Sequence, residues 1–120
     1  MTDERRQSPR VTAYLAGEIE TGQGNVSVAI TKDLAAGGLL LLSRTKHAIG
    51  DQVSLTILAG TGPSAKRFRV RGKVVRQDKL TPGERDLWLG KVALAIEPEP
   101  QLAELLETLA AGSDPLGSRQ

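Results

Sequence analysis

The chain has 120 residues, 39% of them hydrophobic, which suits one domain with a modest core. It holds no cysteine and a single histidine, so disulfides and thiol chemistry are excluded, and transition-metal sites and histidine-based triads have little support. A formal net charge of +2 fits a small anionic ligand without demanding nucleic acid.

The start, Met1-Thr-Asp-Glu-Arg-Arg6, is charged and lacks the apolar core of a signal peptide. No apolar run approaches the ~20 residues of a membrane span, so a cytoplasmic location is expected. Residues 1–10 hold few apolar groups and are expected to form a flexible segment. From residue 11 the pattern is that of a half-buried strand: Val11, Ala13, Leu15 and Ile19 share one face, with Thr12, Glu18 and Glu20 on the other. Thr21-Gly-Gln-Gly-Asn25 supplies a turn, because glycine and asparagine tolerate positive φ. Val26, Val28 and Ile30 then alternate with Ser27 and Thr31, so a second strand runs back and brings residue 33 close to residue 10.

Leu39-Leu-Leu-Leu42 reads as a short buried strand. Val53, Leu55 and Ile57 alternate with Ser54 and Thr56 to give another. In Lys66–Arg76, Phe68, Val70 and Val74 point inward, Arg67, Arg69, Arg71 and Lys73 point outward, and Gly72 marks a bend or bulge. Thr81-Pro-Gly-Glu84 is expected to be a loop before a last strand over 87–96, with Trp88 capping the core. Six such strands suit a closed or nearly closed antiparallel barrel, which leaves no exposed sheet edge. Beyond Glu97-Pro-Glu-Pro100 the period changes, and Leu102, Leu105, Leu106 and Leu109 form an apolar stripe on a helix of about three turns. Packing of that stripe on the barrel is expected, with a homodimer contact as the second reading. Residues 11–111 thus make one domain, and the Gly-, Ser- and Pro-containing tail over 112–120 is expected to be disordered.

Two short motifs carry the functional argument. Arg6-Gln-Ser-Pro-Arg10 precedes the first strand, and Asp33-Leu-Ala-Ala-Gly-Gly38 comes after a gap of 22 residues. In this order and spacing they resemble the PilZ domain, a bacterial receptor for cyclic di-GMP, whose RxxxR motif precedes the first strand and whose (D/N)xSxxG motif comes after the second. The resemblance covers most of the chain, from Arg5 to about Ile96. It implies an all-β, six-stranded PilZ-like barrel with a C-terminal helix, and a ligand site built from Arg5, Arg6, Arg10, Asp33, Ala35, Gly37 and Gly38. Arg6 and Arg10 would wrap the dinucleotide, Asp33 would read a guanine, and Gly37 and Gly38 would allow a sharp turn and close approach. Arg5 would influence whether one nucleotide or a stacked pair binds. The chemistry is apt: a guanidinium fork matches phosphate oxygens or the O6/N7 edge of guanine, and a carboxylate accepts from its N1 and N2 donors. Ala35 departs from the family pattern, which has Ser there.

The function implied is a cyclic di-GMP receptor or adaptor that passes the signal by conformational change to a protein partner. The alternative is a domain of the same fold that binds no nucleotide and acts through protein contacts, as in motility or pilus assembly. Nucleic-acid binding is a distant third, since Tyr14, Phe68 and Trp88 are the only aromatic residues. No catalytic constellation is visible, so an enzyme is not expected, and no cofactor or metal is implied beyond the nucleotide ligand.

Overall fold

The computed structural model describes residues 10–60, 63 and 65–111. Arg5, Arg6 and the rest of the N-terminal segment, and the tail over 112–120, lie outside them. The elements run in the order β1 (Arg10–Thr12), β2 (Ala16–Thr21), β3 (Val26–Ala35), β4 (Gly38–Ser43), β5 (Gln52–Ala59), β6 (Lys66–Gln77), α1 (Pro82–Arg85), β7 (Gly90–Ile96) and α2 (Pro100–Ala111).

All strand pairs are antiparallel, and six strands lie side by side as β3-β2-β5-β6-β7-β4 before β4 returns to β3. This closes the barrel, and β1 adds to the far end of β3. Inside lie Ile19, Ala29, Leu34, Leu39, Leu41, Val53, Leu55, Ile57, Phe68, Val70, Val74, Val92 and Leu94. Leu102 and Leu106 of α2 join the same core, with Leu105 and Leu109 packed against it, and the helix sits against β1 and β6. The leucine stripe therefore packs on the barrel.

Four local readings need correction. The alternation in β3 is real, but Ser27, Ala29 and Thr31 face inward, while Val26 and Val28 are 56% and 55% exposed. Apolar character on one side of a strand does not fix its facing when the other side carries residues small enough to fit beneath neighbouring strands. Leu87–Leu89 is not strand. Thr81 instead caps a short helix, with its hydroxyl accepting from the Glu84 amide and the Glu84 carboxylate accepting from the Thr81 amide. This is the reciprocal capping box that the sequence T-P-G-E offers, with Pro82 at a position that needs no N–H. Trp88, in the turn after this helix, is only partly buried and stands outside the core cluster. The irregularity in β6 falls at Val75, between Val74 and Arg76, not at Gly72. Gly72 sits in regular pairing, where a side chain would meet the Ala95 carbonyl at 2.7 Å.

Glu84 also fastens the segment carrying α1 to the barrel wall. Its carboxylate accepts from Lys32 Nζ at 2.6 Å and from Lys91 Nζ at 3.1 Å, and its side chain is 14% exposed. The Lys32 hydrogen bond and the Thr81 amide, helped by Lys91, hold the carboxyl at about 2, against an ordinary value of 4.5. The stabilisation is therefore complete above pH 4.5 and lost as pH falls toward 2. Glu84→Gln keeps a capping acceptor and removes the charge. Denaturant unfolding should find this variant less stable at neutral pH by about 1–3 kcal/mol, with the difference from the parent vanishing near pH 2.

Candidate functional site

Two irregularities in the first hairpin place the candidate site on the outer wall of the barrel. The chain expected to form one strand from residue 11 breaks over Ala13–Leu15. Pairing with β3 runs as Ala16↔Ile30 on one side of the break and Thr12↔Asp33 on the other, so the first strand carries one extra residue. The Thr31 side chain, 1% exposed, holds the break together: its hydroxyl donates to the Ala13 carbonyl at 2.7 Å and accepts from the Leu15 amide at 2.9 Å. The second irregularity is on β3 itself, whose register with β4 shifts between Thr31 and Asp33, leaving Lys32 as the extra residue. A bulge reverses the facing of the residues beyond it. Thr31 points in, Leu34 points in, and Asp33 points out.

The convergence of the two motifs is thus realised for the residues described. Arg10 pairs opposite Ala35 and Thr12 opposite Asp33. Asp33 accepts from the Thr12 hydroxyl at 3.0 Å through one oxygen and from the Arg10 guanidinium at 3.4 Å through the other. Arg10 is 72% and Asp33 25% exposed, so their ion pair is readily exchanged for another partner. Ala35 and Gly38 face each other across the two-residue turn that joins β3 to β4. Positive φ occurs at Gly24, in the first hairpin turn, but not at Gly37 or Gly38. Gly38 is there for closeness: a Cβ would lie 2.9 Å from the Leu94 carbonyl of β7. Gly37 has open space around it.

Arg10, Asp33, Ala35 and Gly38 line a pocket of about 220 Å³ whose wall includes Leu34, Leu39, Leu94, Ala93 and Arg76. Sequence reading missed Arg76. Counting by twos from Arg67 places Val75 outward and Arg76 inward, but the bulge at Val75 turns Arg76 out beside Ala93. An arginine at a position that strict alternation assigns to the core was the available signal. Asp78 grips it with bonds of 2.6 and 3.0 Å, and that contact holds the Asp78 carboxyl below its ordinary value.

His47 is distant in role. It is 4% exposed, its Nε2 meets the hydroxyls of Ser43 and Thr45 at 3.1 and 3.0 Å, and burial holds its pKa below the ordinary value against the opposing pull of Asp51. Among the described residues no cluster of metal-ligating side chains occurs, and no helix is long and apolar enough to cross a membrane.

The family model of the PilZ domain matches residues 4–112. The chain belongs to the PilZ domain family. Solved structures agree on the fold. The Bacillus subtilis inhibitor of motility, MotI/DgrA, matches with a TM-score of 0.69 at 18% identity, covering 96% of this chain and 54% of its own. This PilZ chain thus spans about half the length of that protein. The PilZ domain of CeSA from a cellulose-synthesizing bacterium matches with a TM-score of 0.57 at 15% identity, covering 88% of this chain and 97% of its own. The PilZ domain of YcgR from Escherichia coli, solved with c-di-GMP, matches with a TM-score of 0.56 at 15% identity and 88% coverage of both chains. A search of curated proteins gave no match.

The Thr31 bridge is open to test. Thr31→Val keeps the shape and removes the hydroxyl, leaving the Leu15 amide without its partner. Unfolding should show a loss of about 1–3 kcal/mol, and amide exchange of Val11, Thr12 and Ala13 should accelerate as β1 loosens from β3.

Proposed function

We propose that this PilZ domain is a cyclic di-GMP receptor that relays occupancy of its site to a protein partner. The single observation that supports this most is the grouping of Arg10, Asp33 and Arg76 on the rim of one outward pocket whose floor is apolar. Two cations suit the phosphates, a carboxylate suits the N1 and N2 donors of guanine, and a planar guanidinium can also stack on a base. Arg5 and Arg6 enter this reading through the arginine motif, directly ahead of Arg10 in sequence. Arg10 and Asp33 hold each other at 3.4 Å, so ligand entry exchanges a weak exposed ion pair for charge-assisted bonds to the nucleotide. A cytoplasmic location and the absence of catalysis go with this reading.

Calorimetric titration with cyclic di-GMP tests it. Binding is expected, and Arg10→Ala should remove about 1.5–3 kcal/mol, roughly 10- to 100-fold in affinity. No heat of binding at high ligand concentration, or an affinity indifferent to Arg10, would reject the proposed site.

Ala35 favours the second reading, a PilZ domain that works through protein contacts alone. Its Cβ lies on the outward side of β3, between Arg10 and Gly38 in the pairing. A hydroxyl added there in a working receptor should form one more ligand bond. Ala35→Ser is therefore expected to tighten cyclic di-GMP binding by up to about 1.5 kcal/mol, roughly tenfold. Absence of binding in both parent and variant would favour the protein-contact reading.

A further inference from the structure

On the barrel wall away from the nucleotide pocket, three neighbouring strands carry an ordered charge pattern. Cross-strand pairing places Glu18, Thr56 and Arg69 at one level and Glu20, Ser54 and Arg71 at the next. All of these side chains are on the outward side. Strand β2 is thus an acidic ridge, β6 a basic ridge and β5 a line of small hydroxyl residues between them. With neighbouring strands ~4.8 Å apart, the ridges stand about 10 Å from each other. The space between them is a trough of about 270 Å³ with Ser54 in its lining and Glu20, Arg69 and Arg71 at its sides.

A simple polyanion fits this wall poorly. Glu20 lies 3.7 Å from Arg69 on one side of the basic ridge, and Glu97 and Glu99 line a second hollow against Arg69 and Arg71 on the other. The fitting partner carries both signs in the same spacing, and a second copy of this chain does. We propose that two copies associate through this wall, about a two-fold axis lying in the interface and parallel to β5. Rotation about that axis exchanges left and right while keeping each level, so Glu18 of one copy faces Arg69 of the other and Glu20 faces Arg71. An axis across the strands would instead set β2 on β2, like charge on like, which the pattern disfavours. The contacts are exposed ion pairs, so the dimer is weak and sensitive to salt. None of these residues lines the nucleotide pocket, and the association does not depend on cyclic di-GMP.

Charge reversal distinguishes this geometry from general stickiness. Sedimentation velocity should show the parent chain dimerising as its concentration rises toward millimolar at low ionic strength, and dissociating in about 0.5 M salt. Glu18→Arg with Glu20→Arg should abolish the homodimer, and so should Arg69→Glu with Arg71→Glu. Mixed one to one, the two double variants should form a heterodimer, because every facing pair is then opposite in sign. Should reversal unfold either barrel, Glu18→Gln with Glu20→Gln is the variant to measure, and weakened self-association is expected. A parent that stays monomeric at millimolar concentration, variants that self-associate like the parent, or a mixture that yields no heterodimer would overturn the proposal.

Discussion

The Thr31 hydroxyl is the contact on which the geometry of the candidate site rests. A strand that gains a residue normally loses its hold on its neighbour there, because one amide and one carbonyl are left without ladder partners. Thr31 supplies both replacements from one oxygen, donating to Ala13 and accepting from Leu15. The first strand can therefore break, add a residue and rejoin the sheet. Had the β2 register simply continued, Ala13 would oppose Asp33. With the break, Thr12 opposes Asp33 and Arg10 opposes Ala35. The basic and acidic groups then share the outer wall.

Three bulge-like shifts, at Ala13–Leu15, Lys32 and Val75, surround one pocket. Each turns side chains that strict alternation would send elsewhere. Lys32, the extra residue on β3, also reaches Glu84, so the irregularity that exposes Asp33 is tied to the segment that crosses the neighbouring wall. Site and clasp are adjacent along the chain as well as in space.

The barrel, its closing helix and the meeting of Arg10 with Asp33 were legible in the sequence because they arise from local signals. These are alternation by twos, a turn rich in glycine, and a change to helical period after Pro100. Bulges were hard to read, since a register shift belongs to two strands together, and the one at Val75 left on its own strand only an arginine where alternation calls for a core residue. Arg76 was missed for that reason, and the facing of Val26 and Val28 for a related one: apolarity was a poorer guide than the size of the residues opposite. The helix at Pro82 is different. Its capping signature stood in the sequence, and four residues of helix are too few for a period to announce.

Because the bulges turn the site outward, the barrel divides its residues between two separate demands. Leu34, Leu39 and Leu94 answer to the interior, while their immediate neighbours Asp33, Ala35, Gly38 and Ala93 answer to whatever meets the wall. Outward residues can be exchanged with little disturbance to the packing that folds the chain, except at Gly38, where β7 stands too close for a side chain. A scaffold of this kind tolerates wide divergence in what it recognises.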